Sequence, residues 1–292
     1  MVNKQLFSNI KKRKRIDRFF HLVFFTANII GIVVLAVLLA RILLSGLKWL
    51  DWQFVTSFPS RFPEMAGILP AIFGTVWIMV LTILFSVPVG IATAIYLEEF
   101  APRNWFTKII ETNISNLAGV PSIVYGILGL TIFVRAMQLD RSILAGSLTM
   151  TLLVLPIIII SAQEAIRTVP ESLKHASYAL GASKWQTAKR VTLPYAIPGI
   201  LTGTILSSSR AIGETAPLIT IGAMAFVSFV PTDPMSSFTV LPIQIFNWTS
   251  RPQEDFRDLA AAGIIVLLAA LLSLNAIAII LRNRLQKRTH GL

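Results

Sequence analysis

The sequence predicts an all-α membrane protein with six transmembrane helices and both termini in the cytoplasm. Three observations carry that reading. Hydrophobic residues make up 54% of the 292 residues and charged ones only 14%, about half the charge of a soluble domain. With a mean hydropathy of +0.72, the chain is too apolar to be disordered. Its uncharged runs match the roughly 20 residues a helix needs to cross a bilayer. The Lys and Arg residues fall mostly on one side of the spans those runs define.

The runs cover residues 22–40, 65–97, 112–134, 142–163 and 259–281, and a sixth, 191–232, is interrupted only by Arg210 and Glu214. They place spans near 20–44, 71–97, 113–136, 142–164, 194–222 and 259–281. The first run is longer than the apolar region of a signal peptide, about 7–15 residues, and no small-residue cleavage site follows it, so a retained anchor helix is expected. Trp49 and Trp52 fall at its outer end and Trp105 near the inner surface, as interfacial anchors do. The prolines at 59–70 mark a boundary. The expected organisation is a basic segment 1–18, a first helix with its outer loop 19–69, a main membrane domain 70–282 and a basic tail 283–292. In the outer loop 229–258, the apolar piece 238–248 either lies at the interface or dips back against the helices. Pro252, Glu254, Asp255 and Asp258 suit the start of the last helix.

The net charge is +12. Eighteen Lys and Arg lie on the side of the termini and the 98–111 and 165–193 loops, against seven on the other side. The positive-inside rule puts that richer side in the cytoplasm. Basic ends around an apolar middle argue against a nucleic-acid partner. The absence of cysteine excludes disulfides, thiol catalysis and thiolate metal sites. His21, His175 and His290 are too scattered in sequence to suggest zinc. No paired catalytic carboxylates fall within the spans. No G-x-x-x-x-G-K-[ST] phosphate loop occurs, so the chain itself is not expected to hydrolyse ATP.

Residues 171–194 read ESLKHASYALGASKWQTAKRVTLP. Pro170 precedes a helix of about three turns, Gly181 suits a left-handed cap, and Ser183 is a good N-cap for a second helix through Val191. Leu193-Pro194 is expected to end that helix and begin the next span. The product is a basic, partly apolar helix-glycine-helix knuckle shaped for a groove on another protein, unless it merely connects two spans. Its spacing resembles the EAA loop of ABC importer permeases. Ala176, Gly181, Leu193 and Pro194 match that pattern. His175 stands where the family has Glu, Ser177 replaces Ala and Val191 replaces Ile. The resemblance implies that His175, Ala176, Ser177, Gly181, Val191, Leu193 and Pro194 couple the chain to a separate cytoplasmic ATPase.

Residues 207–217 read SSSRAIGETAP. Arg210 is expected near the middle of the fifth span, where insertion costs about 2.5–3.5 kcal/mol. Glu214 follows one turn later, and Gly203, Ser207, Arg210 and Glu214 line up as one polar stripe at helical spacing. One reading is a structural ion pair, although Arg before Glu is the weaker order within a helix. The other is an anion path. The guanidinium fork matches a tetrahedral oxyanion, Ser207, Ser208, Ser209 and Thr215 add hydroxyls, and Glu214 keeps the site weak enough to release its ligand. Asn116 offers an amide to such a path. Gly119, Pro121 and Ser122 either break a helix there or serve packing.

The stretches SRAIGETAPLI and NLAGVPSIVYGILGL resemble the PstA-type permeases of bacterial phosphate importers. The resemblance implies the type I ABC importer permease fold in the bacterial inner or plasma membrane. It also implies import of inorganic phosphate along a path through Arg210, Glu214, Ser207, Thr215 and Asn116. The implied partners are a related second permease of the PstC type, a dimer of ATP-binding subunits carrying ATP-Mg, and an extracytoplasmic phosphate-binding protein touching the outer loops 45–70 and 229–258. No cofactor or metal is expected on this chain. Residue chemistry alone leaves open another oxyanion, such as phosphonate, sulfate or molybdate. An ion-coupled carrier or channel working without ATP is the rival from another class.

Overall fold

An apolar segment in hydrocarbon can satisfy its backbone N–H and C=O groups only within itself, and every long uncharged run accordingly becomes helical. The computed structural model describes residues 2–224 and 226–289, with no account of the side chains at 2–12, 15, 281 and 285–289. The expected basic ends at 1–18 and 283–292 therefore lie in part outside the described residues. The helices are α1 (Val2–Gly46), α2 (Leu69–Ile95, widening into a π turn at Tyr96–Phe100), α3 (Trp105–Ala118) and α4 (Ser122–Gly129, continued by a π turn at Leu130–Ala136). After them come α5 (Ile143–Arg167), α6 (Glu171–Ala179), α7 (Lys184–Gly213), α8 (Ala216–Ile221), α9 (Leu241–Thr249) and α10 (Glu254–Thr289). No strand occurs among the described residues.

Five of these helices, α1, α2, α5, α7 and α10, are long and apolar enough to span a membrane. A sixth span exists only as α3 plus α4 with its continuation, bent by 103°. Helix α5 is the axis of the bundle. Its Ile143, Met150, Leu153, Val154 and Ile158 pack with Ile78 and Met79 of α2, Tyr125 of α4, and Ala211 and Ile212 of α7. The most apolar windows of α1 and α10 contain no buried residue, whereas two-thirds of the α5 window is buried. Helix α1 touches α10 where Gly46 sits against the Ala261–Ala262 backbone.

Three expectations about the spans need correction, and proline explains each. The span expected at 113–136 is not straight. Pro121 has no N–H to give the Leu117 carbonyl four residues back, so α3 stops at Ala118. The Val120 N–H (3.1 Å) and the Tyr125 hydroxyl (2.7 Å) donate to that carbonyl instead. The span expected to reach 222 stops at Gly213, because Pro217 cannot donate to the Gly213 carbonyl; Glu214 is extended at φ −74°, ψ 125°. At Pro194 the helix does not end. A π turn at Ala188–Thr192 precedes it, and bonding each carbonyl five residues on steps over the missing donor. Helix α7 thus runs unbroken from Lys184 to Gly213.

The apolar piece of the outer loop dips back. Phe238 and Trp248 are fully buried, and the Leu241 N–H donates to the Thr75 hydroxyl of α2 at 2.9 Å. Helix α10 opens on Glu254 and Asp255, as the acidic cluster predicts.

Candidate functional site

Two interrupted helices meet near the middle of the bundle. Helices α5 and α7 are antiparallel, since Gly199 abuts Ala165 and Gly203 abuts Ser161. Each step forward on α7 is a step back on α5, so Arg210 stands level with Val154, beside the midpoint of Ile143–Arg167. Arg210 is thus level with the middle of α5, but it occupies the last turn of its own helix rather than the middle expected from the sequence. Gly129 of α4 abuts Thr149 of α5. Counting back along α4 at about 1.5 Å per residue brings the Gly119–Pro121 break to a similar depth.

The two stretches are locked together. At Gly126 an added Cβ would fall 2.8 Å from the Pro217 Cα and 2.8 Å from the Thr220 Cβ, so only glycine lets α4 and α8 approach this closely. Residues 116–130 and 209–219, far apart in sequence, thereby form one unit.

Within that unit Arg210 is 55% exposed and its Nε lies 3.2 Å from Oε1 of Glu214, which is 18% exposed. Thr215 is half-buried, and its hydroxyl donates to the Gly213 carbonyl at 3.4 Å. Asn116 is exposed in the last turn of α3. The single polar stripe does not form. Ser207 is buried against α5 with its hydroxyl donated to the Gly203 carbonyl at 2.8 Å, while Leu206, Arg210 and Gly213 face outward. Ser208 is buried as well, and Ser209 bonds Asn275 of α10. The chemistry left on the open face is a guanidinium with its Nη donors uncommitted to Glu214, beside a helix C-terminus and a short extended segment.

The 171–194 segment folds at one end of the bundle. Gly181 has φ +81° with nothing within 4 Å of an added Cβ, a left-handed backbone that glycine adopts without strain. Ser183 and Gln186 form a full capping box at the start of α7. The Ser177 and Thr187 hydroxyls lie 2.9 Å apart and tie α6 to α7. His175, Ala176, Gly181, Trp185 and above all Leu180, at 90%, are exposed. Val191, Leu193 and Pro194 instead sit half-buried at the base of the knuckle, with Leu193 packed against the cluster of Ala162, Ile166, Ala196 and Ile200.

Sequence reasoning missed the acidic pair at the end of α2. Glu98 accepts from Gln163 Nε2 (3.0 Å) and Arg167 Nε (2.9 Å) of α5. Glu99 forms an ion pair with Lys174 of α6 at 2.9 Å. Burial draws the Lys174 ammonium down, but Glu99, helped by Glu171 one turn back on α6 at 3.5 Å, outweighs it and holds the group above the usual lysine value. The available signal was two adjacent carboxylates closing an apolar run, which a count of basic residues alone passes over.

Five long apolar helices, a sixth bent by 103° and a protruding knuckle at one end fit a membrane transport subunit. The family model described as binding-protein-dependent transport system inner membrane component matches residues 86–291, and the chain belongs to that family. It is 35% identical over 257 residues to the probable ABC transporter permease protein YqgI of Bacillus subtilis, covering 84% of this chain and 87% of that protein. It is 32% identical over 252 residues to the phosphate transport system permease protein PstA of Yersinia pestis, covering 81% and 84%. PstA of Mycobacterium leprae is 34% identical over 236 residues, covering 79% and 76%. Among solved structures, a chain of the bacterial alginate ABC transporter in complex with an alginate pentasaccharide-bound periplasmic protein shares the fold, with TM-score 0.67 and 17% identity over 91% of this chain and 94% of that one. A chain of the inward-facing MetNI methionine ABC transporter matches with TM-score 0.63 and 15% identity over 75% and 95%.

Proposed function

We propose that this chain is a transmembrane permease subunit of an ATP-driven importer of inorganic phosphate. It supplies half of the translocation path and couples to a separate ATPase through residues 171–194. The observation that carries the reading is Arg210, a half-exposed guanidinium level with the middle of α5 and beside the helix break at Glu214. Discontinuous helices gather binding groups near the midplane of transporters, and an intramembrane charge open to one side needs an aqueous or polar complement. The names of the PstA relatives favour phosphate as the ion.

On this reading Arg210, Glu214, Thr215 and Asn116 border the path, and the buried Ser207 serves to pack α7 on α5. His175, Ala176, Ser177 and Gly181 meet the ATPase, with Val191, Leu193 and Pro194 as their base. The knuckle and both termini face the cytoplasm, following the excess of Lys and Arg on that side. The partners are a second permease, two ATP-binding subunits that carry ATP-Mg, and an external phosphate-binding protein. Residues 70–282 form the permease domain behind the first helix and its loop.

The test is uptake of labelled phosphate, with ATP hydrolysis, by the co-purified assembly in liposomes. Losing a charge-assisted bond of about 1.5–3 kcal/mol should cut uptake by Arg210→Ala roughly ten- to a hundredfold. Normal uptake by an assembled Arg210→Ala complex would sink the path. Sulfate or molybdate competing as well as phosphate would reassign the ion, and ATP-independent flux through the chain alone would favour a carrier.

A further inference from the structure

We propose that Glu99 and Lys174 form the joint through which movement of α6 reaches the membrane helices. The inference deepens the transporter reading and rests on it, since it presumes a motor that moves α6. Helix α6 is mostly exposed and short. Its ion pair to a spanning helix, among the described residues, runs from Lys174 to Glu99. Both groups are nearly buried, at 12% and 6% exposure. Lys174 also lies 3.5 Å from Glu171 of its own helix, but Glu99, among the described residues, has its ion pair with Lys174, and a buried carboxylate separated from its cation is left without compensation. The contact therefore resists sliding or opening in a way that an apolar contact would not.

Position makes the pair a transmission point. Glu98 and Glu99 are consecutive on the π turn Tyr96–Phe100, and successive helical residues point in different directions. One carboxylate takes Gln163 and Arg167 of α5 while the other takes Lys174 of α6. The end of α2 is thus gripped from both sides. Helices α2 and α5 run parallel and stay in register, with Gly90 against Ile158 and Thr82 bonded to the Ser147 carbonyl. A pull on Glu99 moves both helices, and their core contacts include Ala211 and Ile212 before the α7 break and Leu218 beyond it. The Ser177–Thr187 contact (2.9 Å) ties α6 to the start of α7, and the Phe100–Trp185 ring pair (6.4 Å between centroids) ties that start to the end of α2.

The experiment uses the whole assembly, reading ATP hydrolysis and uptake of inorganic phosphate separately. Glu99→Gln and Lys174→Met should each leave hydrolysis within about twofold of wild type and lower phosphate moved per ATP by about tenfold, the size of an ordinary coupling loss. The exchange E99K with K174E should recover most of that ratio. The chain has no cysteine, so E99C with K174C gives a joint that a short thiol cross-linker can close, and closing it should restore uptake. Variants that transport at the wild-type ratio overturn the joint. So do variants that lose hydrolysis and uptake in equal measure, or a closed cross-link that restores nothing. If the wild-type chain retains no ATPase subunit on purification, the transporter reading falls together with the joint. If wild type couples and Glu99→Gln couples equally, only the joint falls.

Discussion

Replacing Gly126 tests whether the two broken helices form one unit. An alanine Cβ there would lie 2.8 Å from the Pro217 Cα, 2.8 Å from the Thr220 Cβ and 3.0 Å from the Pro217 carbonyl oxygen. Carbon atoms settle at about 3.5–4.0 Å, so the overlap is about 0.7–1.2 Å. Neither obstacle yields readily. Pro217 is ring-constrained backbone, and the Thr220 hydroxyl is fixed by its bond to the Ala216 carbonyl at 2.7 Å. Overpacking of this kind costs about 1–3 kcal/mol, of which the better helix propensity of alanine returns at most about 1. At about 2–4 °C per kcal/mol, the purified assembly should lose several degrees of thermal midpoint with Gly126→Ala and more with Gly126→Val. Relief of the clash pushes α8 away from α4 and displaces Glu214 and Thr215, so phosphate uptake should fall further than stability does. Thermal unfolding in detergent, set beside liposome uptake, reads both. A Gly126→Val assembly as stable and active as wild type would refute the close approach and the unit built on it.

Other outcomes follow from single contacts. Gly181→Ala adds no clash, but its left-handed backbone should cost about 1–2 kcal/mol, seen as weaker retention of the ATPase subunit on purification, with Gly181→Asn milder. Ser183→Ala removes the capping box and about 1 kcal/mol, which hydrogen exchange should register as faster opening at 184–187. Arg210→Lys keeps the charge but loses the planar fork, so uptake should drop while unfolding free energy changes by no more than about 0.5 kcal/mol. Because the folded Lys174 value is raised above 10.5, the stabilisation it gains from Glu99 is complete below that value and is lost only as pH climbs through the higher one. Phosphate moved per ATP should therefore stay level from about pH 7 to about pH 9 as far as Lys174 is concerned.

The spans were legible because length and apolarity are one-dimensional properties, and hydrocarbon permits only self-satisfied backbone. The knuckle was legible for a local reason: Gly181, Ser183 and Gln186 act within a few residues of each other. Helix breaks were half-legible. Pro121 and Pro217 are visible, but whether a spanning helix bends or stops at a proline depends on which donor replaces the lost one, and Tyr125 does this for Leu117 by folding back from α4. The π turn before Pro194 leaves the apolar pattern almost unchanged, so nothing in the sequence announces that α7 continues. The stripe through Ser207 failed because periodicity groups residues by face without saying which face meets α5. Glu98 and Glu99 find their partners on α5 and α6, more than sixty residues away, and no local pattern carries that information.

The surroundings of Arg210 also change how its pairing should be weighed. Inside a helix, Arg before Glu is the weaker order, and that would count against a stabilising role. Glu214, however, has left the helix, so the rule no longer applies. Arg210 lies in the last turn of α7, where unpaired carbonyls carry about half a negative charge. Helix end and carboxylate together stabilise the guanidinium, which explains how it persists at this depth. They also moderate its pull on a second anion, as a site that must release its ligand requires. What they do not supply is a cover. The guanidinium is 55% exposed, on the face it shares with Leu206 and Gly213, and lipid chains offer such a group no hydrogen-bond partners. On the proposed reading, that open side is completed by water and the second permease, and a path exists only once the two halves are together.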